Sequence, residues 1–201
     1  MYPVMLNIKN RVCTIIGGGE AARIKASTLI KEGAKVRIVS PALTADFSDL
    51  DILYIAKKYE KSDLNGSFIA IAATNDKKLN SYIASDAAKL GILVLDASDS
   101  KSSDFTPMAH ISDGNVTVAA STGGAYPMLA KKICADVDIE AYNKICRILK
   151  EQRNVILDKD IDRKVKLKIL KAIITDEMIA LGKNNIAVFR EAIRSITERS
   201  L

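Results

Sequence analysis

The run Gly17-Gly18-Gly19-Glu20-Ala21-Ala22 is the stretch of this sequence with the most specific chemistry. It has the pattern G-x-G-x-x-A. An apolar run at residues 11–16 precedes it. After it, Ala21, Ala22, Lys25, Ala26, Leu29 and Ile30 recur at helical spacing until Gly33. A glycine run is a weak signal alone, and a strand before it and a helix after it are the context that gives it meaning. Gly17 then allows a tight turn, Gly19 lets a pyrophosphate approach bare backbone, and Ala22 permits close packing of helix on sheet. The N–H groups of the first helical turn, starting at Glu20 and Ala21, offer a positive dipole end to the phosphates. The alternative is a glycine turn that holds nothing.

Residues 35–39 are β-branched and read as a second strand, closed by Ser40-Pro41. NAD-binding folds usually carry an acid at this point to hold the ribose hydroxyls. Ser40 stands there instead, and no Arg follows, so the choice between NAD and NADP is open. Other strand ends carry Thr74-Asn75-Asp76, Asp96 and Ser121-Thr122-Gly123-Gly124. Ligands of such sheets bind outside these carboxyl ends. Asp96 ends an apolar strand, where partial desolvation would let it exchange a proton near neutral pH. The competing role is a local cap on the loop that follows. The Ser121–Gly124 turn has backbone and hydroxyl donors for an anion, or it simply caps a helix. His110 is a proton donor, one metal ligand, or a structural side chain.

The elements that would position these residues alternate. Strands are expected at residues 11–16, 35–39, 52–56, 67–73, 92–95 and 115–120, with helices after the glycines and over residues 76–90. Continuous apolar strands separated by helices imply an α/β fold with a parallel, doubly wound, Rossmann-like sheet. From Pro127 the pattern is helical to the end, with breaks at 154–162 and 182–185. The chain has 201 residues, 48% hydrophobic and 27% charged, as in ordinary globular proteins. It lacks an 18-residue uncharged apolar run and a secretory signal, so a cytoplasmic protein with no membrane partner is expected. Three cysteines, Cys13, Cys134 and Cys146, fit a reducing compartment and read as core fillers. A single histidine rules out two-His metal sites within one chain. Aromatic residues at 5%, with no Trp, argue against a base-stacking platform. The net charge of +6 is uneven: residues 147–201 hold 13 Lys and Arg against 8 Asp and Glu, a net of +5.

Residues Tyr2-Pro3 through Gly17-Gly18-Gly19 to Val39-Ser40-Pro41 resemble the precorrin-2 dehydrogenases, which correspond to the amino-terminal part of siroheme synthase. Three more segments agree: residues 71–76 with Asn80, then Val94-Leu95-Asp96, then residues 120–127 with Leu129-Ala130. The likeness covers about residues 1–145. It implies NAD-dependent oxidation of precorrin-2 to sirohydrochlorin, with Asp96 at the position of the family's proposed catalytic aspartate. It implies a cofactor site on Gly17, Gly18, Gly19, Glu20, Ala21, Ser40, Pro41, Thr74 and Asn75. It also implies a homodimer, organised as a Rossmann domain (1–112), a dimerisation region (113–146) and a helical domain (147–201).

Two departures matter. The loop after Asp96 looks longer than in the family, so Asp99 or Asp104 could share its role. Ile24 stands where the family often has the first of two basic residues, before Lys25. Precorrin-2 carries eight carboxylates, and a basic cleft would offset them. Substrate contacts are expected from Ser121, Thr122, Gly123, Gly124, Lys131, Lys132 and Arg147. One alternative adds metal insertion, with Asp96 and His110 as the available ligands. A remote one is a dinucleotide-sensing DNA-binding regulator, though no helix-turn-helix signature supports a nucleic-acid partner.

Overall fold

The computed structural model describes residues 1–199. The chain divides into two compact units, Met1–Pro107 and the part from Met108 onward. The first unit is a Rossmann-like sheet of five strands: β1 (Val12–Ile16), β2 (Lys35–Val39), β3 (Ile52–Ile55), β4 (Ile69–Ala72) and β5 (Leu93–Asp96). All are parallel, in the order β3-β2-β1-β4-β5. The chain winds outward from β1 to β3, then returns to place β4 on the other side of β1. The β1/β4 border is therefore the topological switch point, where a crevice opens at the carboxyl ends of the strands.

Helices α1 (Glu20–Lys31) and α2 (Lys77–Lys89) cover the sheet. The side-chain period of two splits β4 cleanly between two cores. Ile69 and Ile71 join the cluster with Ile15, Ile38, Ala22 and Ala26 of α1. Ala70 and Ala72 join the one with Ile83, Ala84 and Ala87 of α2. Both helices stop as their glycines dictate. At the end of α1, Gly33 (φ +80°) donates to the Ile30 carbonyl and Ala34 to that of Leu29, at 2.8 and 3.0 Å. Gly91 and Ile92 repeat the pattern after α2. This paired closure needs a left-handed residue, which glycine adopts without strain.

The second unit begins with the antiparallel pair β6 (Ala109–Asp113) and β7 (Val116–Ala120). Five helices follow: α3 (Pro127–Ala135), α4 (Ile139–Leu157), α5 (Arg163–Ala172), α6 (Asp176–Asn184) and α7 (Ile186–Arg199). Their core gathers Ile145, Ile148, Ile156, Ile169, Met178, Phe189 and Ile193. Helix α4 packs on both the hairpin and α5–α7, which makes one unit of them.

The expected domain boundaries shift accordingly. A cut after residue 112 would fall inside β6, whose ladder partner is β7, so the hairpin belongs wholly to the second unit. A cut after 146 would fall in the middle of α4. The expected break at 182–185 narrows to Asn185. Gly182 lies within α6, where an added Cβ would come 2.7 Å from Ile145. Close packing of α4 on α6, not a turn, explains that glycine. β6, absent from the expected strands, is short and alternates half-buried with exposed residues.

Candidate functional site

The glycine elbow joins β1 to α1, and its three glycines are glycines for different reasons. At Gly17, φ is +126° and an added Cβ would lie 2.3 Å from the Ala73 carbonyl oxygen. No other residue fits where β1 and β4 emerge side by side. At Gly18, a Cβ would meet the Ala42 carbonyl at 2.2 Å. The Gly18 carbonyl in turn accepts from the Thr44 and Ala45 N–H groups at 2.8 and 3.2 Å, pinning the loop after β2 to the elbow. Gly19 is unlike both. Its φ is −93°, which any residue adopts, and a Cβ there would find one neighbour, Thr44 Oγ1, at 3.6 Å. The protein's own packing does not require this glycine. A bare backbone there admits the close approach of a ligand. Gly19 caps α1 without a side-chain acceptor, which leaves the first N–H groups of the helix for a ligand.

A cavity of about 520 Å³ opens there, lined by Gly17, Gly18, Gly19, Glu20, Ala21, Ser40, Pro41, Thr74 and Asn75. These are the nine residues expected to hold a cofactor. The lining also includes eight residues not expected to hold a cofactor, among them Thr44, Lys58, Tyr59 and Leu79. Lys58 and Tyr59 follow β3, and nothing in the local pattern marked that edge of the sheet as part of a site. Ser40 is buried and donates its hydroxyl to the Ala42 carbonyl at 2.8 Å. Its oxygen keeps capacity to accept from a ribose hydroxyl, and the carboxylate residue in the lining, Glu20, belongs to the first turn of α1 rather than to the end of β2. The residues present fit a dinucleotide: an uncapped helix N-terminus, a glycine that the packing does not require and a polar strand end.

Asp96 ends β5 and lines a second cavity of about 490 Å³, with Ala21, Ile24 and Lys25 of α1, Ser98, Asp99 and Ser100 of the following loop, and Pro107. It is 2% exposed. Its Oδ1 accepts from Ser98 N–H (2.8 Å), Ser98 Oγ–H (2.7 Å) and Asp99 N–H (3.2 Å). Its Oδ2 accepts from Ser102 Oγ–H at 3.0 Å. Burial pushes the carboxyl up, but the Ser98, Ser102 and Asp99 donors outweigh it and hold Asp96 below the ordinary carboxylate range. Hydrogen bonding to the charged form thus wins over desolvation and favours the ionised carboxylate, which can accept a proton but holds none of its own to give at neutral pH. Asp99 is exposed and accepts from Lys101 N–H at 2.9 Å. Asp104 accepts from Val94 N–H at 2.9 Å and exchanges a second bond with that residue, so it closes the loop onto β5.

The remaining expected residues lie in the second unit. Ser121 and Thr122 accept from the Gly123 and Tyr126 N–H groups, at 3.1 and 3.0 Å. Gly123 and Gly124 both have positive φ with open space around them. Lys131, Lys132 and Arg147 are exposed, and Lys132 pairs with Asp136 one turn on. His110 is exposed on β6, its Nδ1 3.3 Å from the Met108 carbonyl. Among the described residues no group of three or more His, Cys, Asp or Glu side chains is gathered around a point. Cys13 and Cys134 are buried, and burial pushes the Cys13 thiol up to about 11. Among the described residues no helix is long and apolar enough to cross a membrane.

Comparison with known proteins bears on this geometry. A family model described as putative NAD(P)-binding matches residues 4–109, more than half of the chain. A precorrin-2 dehydrogenase of Priestia megaterium is 30% identical over 184 residues, which cover 88% of this chain and 91% of that protein. A siroheme synthase of Chromobacterium violaceum is 33% identical over 141 residues, covering 68% of this chain and 30% of its own length. The chain thus matches about a third of the length of such synthases. Among solved structures, SirC, a precorrin-2 dehydrogenase, superposes with a TM-score of 0.74 at 28% identity, covering 98% of this chain and 100% of that one.

Proposed function

The chain belongs to the precorrin-2 dehydrogenase family, and from that premise we propose that it oxidises precorrin-2 to sirohydrochlorin with NAD. The observation that carries the reading is Gly19: an elbow position that the fold does not need to be glycine, with room for a Cβ in ordinary contact with Thr44 Oγ1, at an uncapped helix N-terminus. The backbone of Gly18 and Gly19 and the first N–H groups of α1, at Glu20 and Ala21, hold the diphosphate. Ser40 and Pro41 border the adenosine ribose, and Thr74 and Asn75 form the opposite wall. When bound, NAD supplies an electrophilic ring carbon that accepts a hydride.

Oxidation of this kind removes a hydride and a proton from the macrocycle, and positive charge builds on the substrate as the hydride leaves. Asp96 is assigned two tasks. As a fixed anion at the rim of the crevice it stabilises that charge, and its donors, already oriented, need no reorganisation. As an ionised carboxylate it is in the right state to accept the proton, though a weak acceptor because its pKa is lowered. For the carboxylates of the substrate, the proposed contacts are Ser121, Thr122, Gly123, Gly124, Lys131, Lys132 and Arg147. The proposed form is a homodimer in the cytoplasm, without nucleic-acid or membrane partners. The second unit supports the dimer with exposed Tyr126, Met128, Leu129 and Ile133 at the start of and along α3. Sedimentation at micromolar concentration reads it directly.

The test of the activity is purified protein with precorrin-2 and NAD. NADH and the sirohydrochlorin spectrum should appear together. No turnover with either NAD or NADP would overturn the reading.

A further inference from the structure

The nucleotide cleft and Asp96 lie at the ends of different strands, β4 and β5, and one buried side chain bonds to both. Asn80, in the first turn of α2, is fully buried. Its Oδ1 accepts from Thr74 N–H at 3.1 Å and from Thr74 Oγ–H at 2.7 Å. Its Nδ2 donates to the Thr74 carbonyl at 3.1 Å and to Ser98 Oγ at 3.2 Å. The amide's two acceptor sites and two donors are therefore all used. Three bonds fix Thr74, on the wall of the nucleotide cavity. The fourth ends on the hydroxyl that donates to Asp96 Oδ1 at 2.7 Å.

We propose that Asn80 is a positioning residue that ties the nucleotide-binding wall at Thr74 to the Asp96 carboxylate through Ser98. This deepens the dehydrogenase reading and rests on it for its consequence in catalysis. The bonds run head to tail, Asn80 N–H to Ser98 O–H to Asp96, and in such a chain each donor polarises the next. An asparagine that merely capped Thr74 would not need the fourth bond. Because Thr74 and Ser98 share one rigid amide, a shift of the nucleotide wall is transmitted to the donor that orients the acid. The remaining groups around Asp96 are the Ser98 N–H, Ser102 Oγ and the Asp99 N–H on its carboxylate, and Lys25 of α1 and the Asp99 side chain in the same cavity. None of them bonds to Asn80.

The test compares Asn80→Ala and Ser98→Ala in the full chain. The first readout needs neither substrate nor cofactor: titration of the Asp96 carboxyl carbon by NMR. Both variants should move its midpoint to higher pH, because Asp96 loses a donor or that donor loses its polarisation. The second readout is NAD(H) affinity by fluorescence. Asn80→Ala should weaken it about tenfold, the order of one lost hydrogen bond in a buried network, whereas Ser98→Ala should stay within about twofold because the Thr74 bonds remain. The third is the pH profile of kcat, whose acid limb should rise in both. An unmoved Asp96 titration in Asn80→Ala, with NAD(H) affinity reduced, would leave Asn80 as a cap on Thr74 and overturn the coupling. If Asn80→Ala fails to fold, Ser98→Ala decides, since Ser98 is exposed: a static Asp96 midpoint there overturns the proposal. Wild-type protein that never oxidises precorrin-2 overturns the dehydrogenase reading and leaves the NMR and affinity results to judge the coupling.

Discussion

The two ends of the crevice are built from different materials. Where β1 and β4 emerge, the site is backbone: a positive-φ glycine against the Ala73 carbonyl, a second glycine against Ala42 and a third with only Thr44 Oγ1 in ordinary contact range. Where β5 emerges, it is side chains: one buried carboxylate with three serines, Ser98, Ser102 and Ser103, bonded to it or to its backbone. At Gly17 and Gly18 this backbone site tolerates almost no change, since an added Cβ collides with a carbonyl. A side-chain site loses a bond at a time. The nucleotide end should therefore fail abruptly and the acid end by degrees.

Gly17→Ala is the sharpest way to break that contrast. The variant needs a left-handed backbone at φ +126° and puts Cβ within 2.3 Å of a carbonyl oxygen that has no flexible tail to move. Strain and displacement of β4 together should cost about 3 kcal/mol or more. Urea unfolding followed by circular dichroism measures it. A loss under about 1 kcal/mol would mean that the β1/β4 border can spread, and that the elbow is softer than its geometry implies.

Gly19→Ala separates folding from binding at the same end. Its Cβ makes one ordinary contact, so stability should change by less than about 0.5 kcal/mol. The methyl group occupies the approach to the uncapped helix, and NAD affinity should fall about 30-fold, roughly 2 kcal/mol. Calorimetric titration reads the second effect and thermal melting the first. Unaltered affinity would show that the diphosphate does not lie on Gly19.

The same contrast explains what is legible in the sequence. The elbow was readable because conformational need is written in residue type: glycine where Cβ cannot go, and buried strands as unbroken apolar runs such as residues 69–72. Asn80 and Asp96 could be singled out, but not their environment. The serines at 98, 102 and 103 look like any polar loop, and only the fold turns them inward onto a carboxylate. The lowered pKa of Asp96 followed from those donors, and the expectation based on burial alone had the wrong sign. β6 stayed hidden for a related reason, since Ala109–Asp113 gains its strand identity from its pairing with β7. The domain cuts at 112 and 146 failed because packing, not composition, joins the hairpin to α4.

Asp96→Asn probes the acid end. It should abolish most turnover, at least tenfold, while NAD still binds, because the nucleotide cavity is lined by other residues. Stability should fall by about 1.5–3 kcal/mol at neutral pH, the scale of hydrogen bonds to a charged group. The sign with pH follows from the lowered carboxyl. In the wild type this contribution is fully present above the unfolded value near 4 and is lost as pH drops through the folded one. The amide does not titrate, so the gap between variant and wild type should close in acid. Asp46 and Glu177 have carboxyls lowered in the same direction, by local donors on the surface, and leave part of the acid limb in both proteins. A gap that stays constant down to strong acid would mean that the serine shell does not favour the ionised form.

Asp76→Ala is the mildest change and tests whether the middle of the crevice belongs to the backbone end or the side-chain end. Asp76 caps α2, its Oδ1 accepting from Lys78 and Leu79 N–H at 2.9 and 3.2 Å. Its loss should cost about 1 kcal/mol, and Asp76→Asn should restore most of it because an amide oxygen caps as well. The Asp76 carbonyl separately accepts from Asn80 N–H at 3.0 Å, a bond that survives the substitution. The first turn, and with it the Asn80 amide, should therefore stay in place, and NAD affinity should drop by no more than about threefold, since only local fraying of the cap is involved. A loss as large as that of Gly19→Ala would show that the wall at Thr74 depends on the cap rather than on Asn80. The crevice would then be fragile along its whole length, and the division between an abrupt end and a gradual one would disappear.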